Sequence, residues 1–387
     1  MITHVQEHAR PHAHDACLLV HTTHPLNAET PIQALTDGLT DGLTSTEHFY
    51  VRNHFSIPNL NPADWRLAVT GCVRRRLTLD LDDLHEMRSH TQVVTMECAG
   101  NNRVAFDPQV PGHQWRLGAV STAEWTGVLL VDVLDRAKLT SRAREVLFRG
   151  ADRGHVDGRA EPIPFERSLS LDDIEASGAL LAYEMNGARL PVRHGYPLRL
   201  VVPGWYGVAS VKWLAAIEVL NHTFDGHFQT ELYRYVWHQD GHTVTEPVRQ
   251  LRVRAVISEP SYGQTLTCGA LSIRGLAWSG LAPISDVRVR VGRRPWQRAH
   301  LLGQPQRHGW RRWELLVHVD EPGTTTVQAR ATDRAGRAQP DQPDWNQFGY
   351  GGNSVHIVSI HLARTMGAVG QHAKSAEETI HGQHQLA

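Results

Sequence analysis

The sequence is short of cysteine, of long apolar runs and of excess charge of either sign, and each shortage removes a class of protein. The four cysteines, Cys17, Cys72, Cys98 and Cys268, lie far apart, with neither a CxxC nor a CxxCH among them. They do not read as a disulfide framework or as a covalent haem attachment, which points to a reducing compartment. No stretch of about 18 apolar residues occurs, so no membrane-spanning helix is expected. The opening segment MITHVQEHARPHAHDACLLV has no uninterrupted apolar stretch of the kind an export signal needs. A cytoplasmic location is therefore the expectation, and a periplasmic one if a leader has been removed. With 39 basic and 40 acidic residues, there is no charge surplus to draw in nucleic acid, and any anion-binding site must be local. The 25 histidines are scattered and include no HExxH or Cys/His zinc spacing.

What is present divides by pattern. A chain of 387 residues exceeds one ordinary core, so two domains with terminal arms are expected. Residues 1–45 are rich in His, Thr and Pro and contain the echo LTDGLTDGLT, which reads as an extended arm. Residues 46–250 mix short strands with short helices, an α+β pattern. They begin with an aromatic-rich strand at 49–55, with Arg52 and His54 on one alternating face. A strand at 65–69 follows, then a short helix over 77–89. Residues 125–130 lead into an amphipathic helix to about 137, and a strand at 146–149 ends near Asp152. A run at 179–185 meets Asn186-Gly187, a strong hairpin signal. Residues 211–214 read as a strand or strand end.

From 251 to 365 the pattern becomes seven short, mostly alternating segments, at 253–257, 271–278, 286–291, 298–302, 313–319, 324–331 and 355–361. Gly, Pro and Asp turns separate them, which predicts a β-sandwich compatible with an immunoglobulin-like module. Residues 366–387 are polar and His/Gln-rich, a tail.

The chain is organised around residues 93–103, VVTMECAGNNR. A β-branched run delivers Cys98 to a small, glycine-bearing turn that ends in Arg103, as a buried strand would deliver a thiol to a cavity edge. A thiol so placed is a nucleophile, a soft metal ligand or a core hydrophobe.

The strand and loop MECAGNNR resemble the molybdopterin-dependent sulfite oxidase family. So do GAVSTAEWTGVLLVDVL, LAYEMNGARLPVRHGYPLRLVVPGWYG, VKWL, WRRW and DWNQFGYGGN, which occur in the family's order between about residues 48 and 362. The resemblance implies a catalytic domain over 46–250 and an immunoglobulin-like dimerisation domain over 251–365, hence a homodimer. It implies a molybdenum held by a pterin dithiolene and by one thiolate, Cys98. Tyr50, Arg52, Asn53 and His54, then Asp152, His194 and Arg199, and finally Ser210, Val211 and Lys212 resemble the family's pterin contacts. Arg199 and Lys212 suit the phosphate end, and Asp152 suits the ring N–H groups. Arg52, Arg103 and Arg311 match its sulfite-pocket arginines, with Trp115 as a wall and Tyr233 beside the reacting oxygen. Guanidinium groups suit this task because they bind oxyanions by paired hydrogen bonds and stay charged. Arg312 could exchange roles with Arg311.

The chemistry implied is oxidation of sulfite to sulfate by oxygen-atom transfer, with the arginines positioning the anion. No segment resembles a haem domain, so no haem is expected and the electron acceptor is external, a cytochrome or dioxygen. Two departures touch the pocket rim: Asn102 stands where the family usually has an arginine, and the loop from Cys98 to Trp115 is about two residues shorter than in the animal enzymes. The alternatives are an oxyanion or sulfoxide reductase, a sulfane dehydrogenase, and a non-enzymatic interaction module.

Overall fold

The computed structural model describes residues 18–364, except Gly38, Asp41 and Asp240. The tail expected at 366–387 and the start of the arm lie outside the described residues.

The first domain is built on two sheets with a few short helices. One sheet runs Ile163–Ser170, Glu145–Gly154, Leu214–Leu220, Leu67–Gly71 and Leu77–Leu79 across its width, and only the Leu214–Leu220/Leu67–Gly71 pair is parallel. The other carries Ala188–Arg189, Leu180–Met185, Val120–Leu129 and Ser89–Glu97, with Arg199–Val201 also paired to Leu180–Met185. Leu67, Val69, Phe148 and Ile217 from one sheet pack against Val128, Leu181 and Leu200 from the other. Helix Leu130–Ala137 buries Leu130, Val133, Leu134 and Ala137 against that core. Fully burying such a side chain contributes roughly 1.5–3 kcal/mol. Asn186 and Gly187, at φ 52° and 70°, close the expected hairpin as a type I′ turn would.

Several local expectations shift. Residues 49–55 are extended but join no sheet: Val51 alone bridges to Ala28, because the neighbouring polar side chains turn inward to a cavity. The helix expected over 77–89 is confined to Leu81–His85. The Asp80 carboxylate accepts from Asp83 N at 3.0 Å while that of Asp83 accepts from Asp80 N at 3.1 Å. This capping box starts the helix there and leaves Leu77–Leu79 to pair as a strand. The strand expected at 211–214 begins only at Leu214, since Trp213 adopts φ 49°. A further hairpin, Arg234–Gln239/His242–Pro247, buries Tyr235 and Val236 on its first strand and exposes its second, and the sequence carries its signal, Asp240-Gly241.

The second domain is the expected all-β sandwich. One sheet has Arg254–Glu259, Gly269–Trp278, Arg311–Val319 and His300–Leu302; the other has Thr265–Thr267, His356–Ala363, Gly323–Asp333, Ile284–Val291 and Gln297–Arg298. Alternate residues such as Ile273, Val289, Trp313, Ala329 and Ile360 fill the space between them. A separate aromatic cluster, including Phe55, Tyr206, Tyr233, Trp278, Trp310 and Tyr350, welds the two domains together. No helix among the described residues is long and apolar enough to cross a membrane.

Candidate active site

Strand Ser89–Glu97 becomes progressively more buried toward its end and delivers Cys98 to the junction of two chambers. Arg52, His54, Cys98 and Tyr233 line both. Burial raises the Cys98 thiol above its ordinary pKa, opposed by the guanidinium groups of Arg52 and Arg103. Among the described residues no three His, Cys, Asp or Glu side chains cluster to hold a metal, so Cys98 could serve only as a lone protein ligand to a metal that brings its other ligands with it.

The inner chamber leaves about 660 Å³ between protein atoms, space open to solvent included. Tyr50, Asn53, Asp152, His194, Arg199, Ser210 and Lys212 face it together with Arg52 and His54. Its cations are held by neutral groups. Arg199 donates to the carbonyls of His194 at 2.9 Å and Ser210 at 3.3 Å, and its guanidinium lies 4.7 Å from the Trp125 ring. Lys212 donates to Asn53 Oδ1 and, at 3.2 Å, to the Arg193 carbonyl. Burial holds Arg199 down at about 10 and Lys212 well below the usual lysine range, the latter further lowered by Arg199 and raised by Asp152. Burial pushes Asp152 up to about 6, partly offset by Lys212, and its Oδ1 has no hydrogen-bond partner. His194 and His54 are both driven well below the usual histidine range by burial, and so are neutral.

The outer chamber lies between Arg103, His113, Trp115 and the sandwich residues Phe348 and Tyr350. Arg103 donates to the carbonyls of Phe348 at 3.1 Å and His113 at 2.9 Å, with its guanidinium 5.3 Å from the Tyr350 ring. Gly100 and Gly112 make room for it: a Cβ on either would come within 2.6 Å and 2.8 Å of its guanidinium nitrogens. Tyr233 shares a 2.6 Å hydrogen bond with His54. It sits at φ 51°, a backbone cost of order 1–3 kcal/mol for a bulky residue that recurs at functional sites. Arg167, buried with its Nε unpartnered, donates to the Phe228 carbonyl 6.0 Å from the Tyr233 ring.

Among the described residues, none of Arg52, Arg103, Arg199 and Lys212 forms an ion pair with a carboxylate. These four buried or half-buried cations face connected space with no carboxylate in ion-pair contact, although Asp152 acts electrostatically on Lys212, and such a set calls for an anion to complete it. The unpartnered Asp152 oxygen supplies an acceptor for N–H groups on the same ligand. This donor set fits a pterin with a phosphate end and a metal at Cys98.

Two expected site residues lie elsewhere. Ser210 and Lys212 face the chamber, so Val211 between them points the opposite way, fully buried in the first-domain core. Arg311 does not line either chamber. It pairs with Ala277 in the sandwich and shares a face with Trp313, two residues on, so it points toward the interior of its own domain, with Nε unpartnered. Burial lowers its pKa, and Arg334 lowers it further. Arg312 is exposed and opens on a different surface cleft with Glu259 and Arg274. What the sandwich does send into the outer chamber is Phe348 and Tyr350, from the motif DWNQFGYGGN.

Residues 54–228 match the family described as the oxidoreductase molybdopterin binding domain, and residues 245–363 the Mo-co oxidoreductase dimerisation domain. The chain is 36% identical to the mitochondrial sulfite oxidase of Rattus norvegicus over 375 residues, spanning 91% of this chain and 67% of the relative. It is 31% identical to the sulfite oxidase of Arabidopsis thaliana, spanning 90% of this chain and 95% of the relative. The solved sulfane dehydrogenase SoxCD from Paracoccus pantotrophus superposes with a TM-score of 0.76 at 27% identity, covering 88% of this chain and 86% of that one. Both matched domains occur in order along the chain, and the chain belongs to the sulfite oxidase family of molybdopterin-dependent oxidoreductases.

Proposed function

We propose that this molybdenum oxidoreductase oxidises sulfite to sulfate by oxygen-atom transfer and passes the electrons singly to an external acceptor. The observation that carries this reading is the set of four cations without carboxylate partners, divided between two chambers that meet at Cys98. In the inner chamber Arg199 and Lys212 would hold the phosphate of a molybdopterin, Asp152 would accept from its ring N–H groups, and the Cys98 thiolate would ligate the molybdenum. The bound group supplies the transferable oxygen and takes up the electron pair.

The chain's own residues do the rest. Arg52 and Arg103 bind the oxygens of the anion and orient its sulfur toward the junction, and their charge offsets the charge that develops there. Trp115, fully buried, closes the back wall and excludes water. The Tyr233 phenol, held protonated by burial, is positioned to donate a hydrogen bond to a substrate oxygen, with His54 fixing its orientation. A homodimer built through the matched dimerisation domain and a cytoplasmic site of action complete the proposal.

The test is sulfite-dependent reduction of ferricyanide by molybdenum-loaded protein, which bypasses the natural acceptor. Saturable turnover that disappears in Cys98→Ser, with the fold retained by circular dichroism, is the expected result. Absence of turnover from fully loaded protein would move the assignment to sulfane dehydrogenation or oxyanion reduction.

A further inference from the structure

The outer chamber is divided by chemistry. Arg52 and Arg103 supply its charge, while Trp115, Leu232, Phe348 and Tyr350 supply apolar wall. His113 adds none of the charge, because burial and then Arg52 hold its pKa down at about 4. Arg311, expected as a third guanidinium, belongs to the sandwich interior. The rings form a continuous surface: Tyr350 lies 5.1 Å from Tyr233 and 5.8 Å from Phe348, both pairs stacked. About 280 Å³ between these walls can be occupied by water centres, whereas one water needs only about 10–15 Å³ on the same measure and a four-heavy-atom oxyanion a few times that. A bare oxyanion would satisfy the guanidinium groups and leave the rings wet. Covering them with apolar surface gains roughly 25 cal/mol per Å². Phe348 stands where the two chemistries meet, since its carbonyl accepts the Arg103 Nε at 3.1 Å.

The geometry points to organic sulfinates with an apolar or aromatic substituent as substrates of this chamber, and to Phe348 as the residue that sets the preference for them over sulfite. This rests on the sulfite-oxidising reading, because a sulfinate offers the same sulfur lone pair and two oxygens for the two guanidinium groups. One sulfur–oxygen bond forms and the carbon–sulfur bond stays intact. Water supplies the oxygen, two protons are released, and the two electrons lost by sulfur leave to the same one-electron acceptor, ferricyanide in the assay. The product is a sulfonate.

The experiment uses the molybdenum-loaded full chain. Calorimetry compares benzenesulfonate with sulfate, and the ferricyanide assay compares benzenesulfinate with sulfite. We expect benzenesulfonate to bind at least about tenfold more tightly than sulfate, and benzenesulfinate to match or exceed sulfite in kcat/KM. Phe348→Arg should reverse both preferences by a similar factor, and Phe348→Leu should weaken benzenesulfonate alone. The wild-type binding comparison decides even where a variant does not fold. Benzenesulfonate binding no tighter than sulfate, with sulfite turnover intact, overturns the sulfinate proposal and leaves the sulfite reading standing. Loss of turnover with both donors overturns both.

Discussion

The two chambers that meet at Cys98 are built in different ways. The inner one takes its cations from positions fixed by sheets: Arg199 begins a strand paired with Leu180–Met185, and Lys212 lies two residues before Leu214–Leu220. Their side chains donate to the main-chain carbonyls of His194, Ser210 and Arg193 and to Asn53 Oδ1. The outer one takes Arg103 from a short turn, His113 and Trp115 from a loop, and Phe348 and Tyr350 from a connection in the other domain. The contrast teaches where selectivity can change. A large anion common to a family is held by regular structure, whereas the reacting molecule is recognised by loops that can be altered without disturbing either sheet.

The comparison can be broken at four points. The largest effect is expected behind Cys98, where the two domains meet at Glu97. Glu97 pairs with Arg254 at 2.6 Å and accepts from Trp278 at 2.8 Å and Asn101 at 2.9 Å, all deeply buried. Glu97→Gln should therefore cost ~3–5 kcal/mol in chemical denaturation, as for removal of one partner of a buried pair; a cost near zero would mean that the turn is held by other contacts. Next comes a double dissociation. Arg103→Met should leave the pterin content unchanged and raise the KM for sulfite about 10- to 100-fold, the worth of charge-assisted hydrogen bonds. Lys212→Met should lower the pterin retained through gel filtration, with little change in the KM of whatever molecules remain loaded. If each variant moved both quantities, the chambers would not be separable.

A smaller effect concerns pH. Asp152 is raised from its ordinary value near 3.8 to about 6, so its proton is held more tightly in the folded chain than in the unfolded one. The stability this confers is complete below about pH 4 and is lost as pH rises toward 6. In the cofactor-free protein, the melting temperature of wild type should therefore fall relative to Asp152→Asn across that window and run parallel to it above. A rise instead would show that attraction to Lys212 outweighs burial. Smallest of all, Arg311→Met should change the KM for sulfite by less than about twofold, and any larger rise would return Arg311 to the anion site.

The inner chamber was legible because its residues sit in short, recognisable phrases, although residues 50–54 join no sheet and residues 210–212 precede the strand at Leu214. Val211 came with Ser210 and Lys212 as one run in the resemblance, and only the folded chain shows its side chain turned into the first-domain core. The outer chamber was half legible. Arg52, Arg103 and Trp115 come from the same domain as Cys98, but the contribution of the sandwich depends on which of its segments faces the first domain, and no local pattern records that. Arg311 had the right chemistry and the wrong face, being in phase with Trp313. Phe348 and Tyr350 lay in a quoted phrase, yet a phenylalanine among glycines announces no role until the register of the sandwich is known. Arg167 gave no signal at all, since one arginine in an alternating strand is ordinarily solvated.

The carboxylate of Glu97 has an implication for how this protein can be divided. It precedes the sulfur-bearing residue by one position, yet two of its three partners belong to the module matched for dimerisation. Severing the polypeptide near residue 250 would therefore strip the catalytic half of the groups that neutralise a buried charge beside its key thiol. The two halves form one working unit, and a truncated version should be inert even when its own sheets are intact.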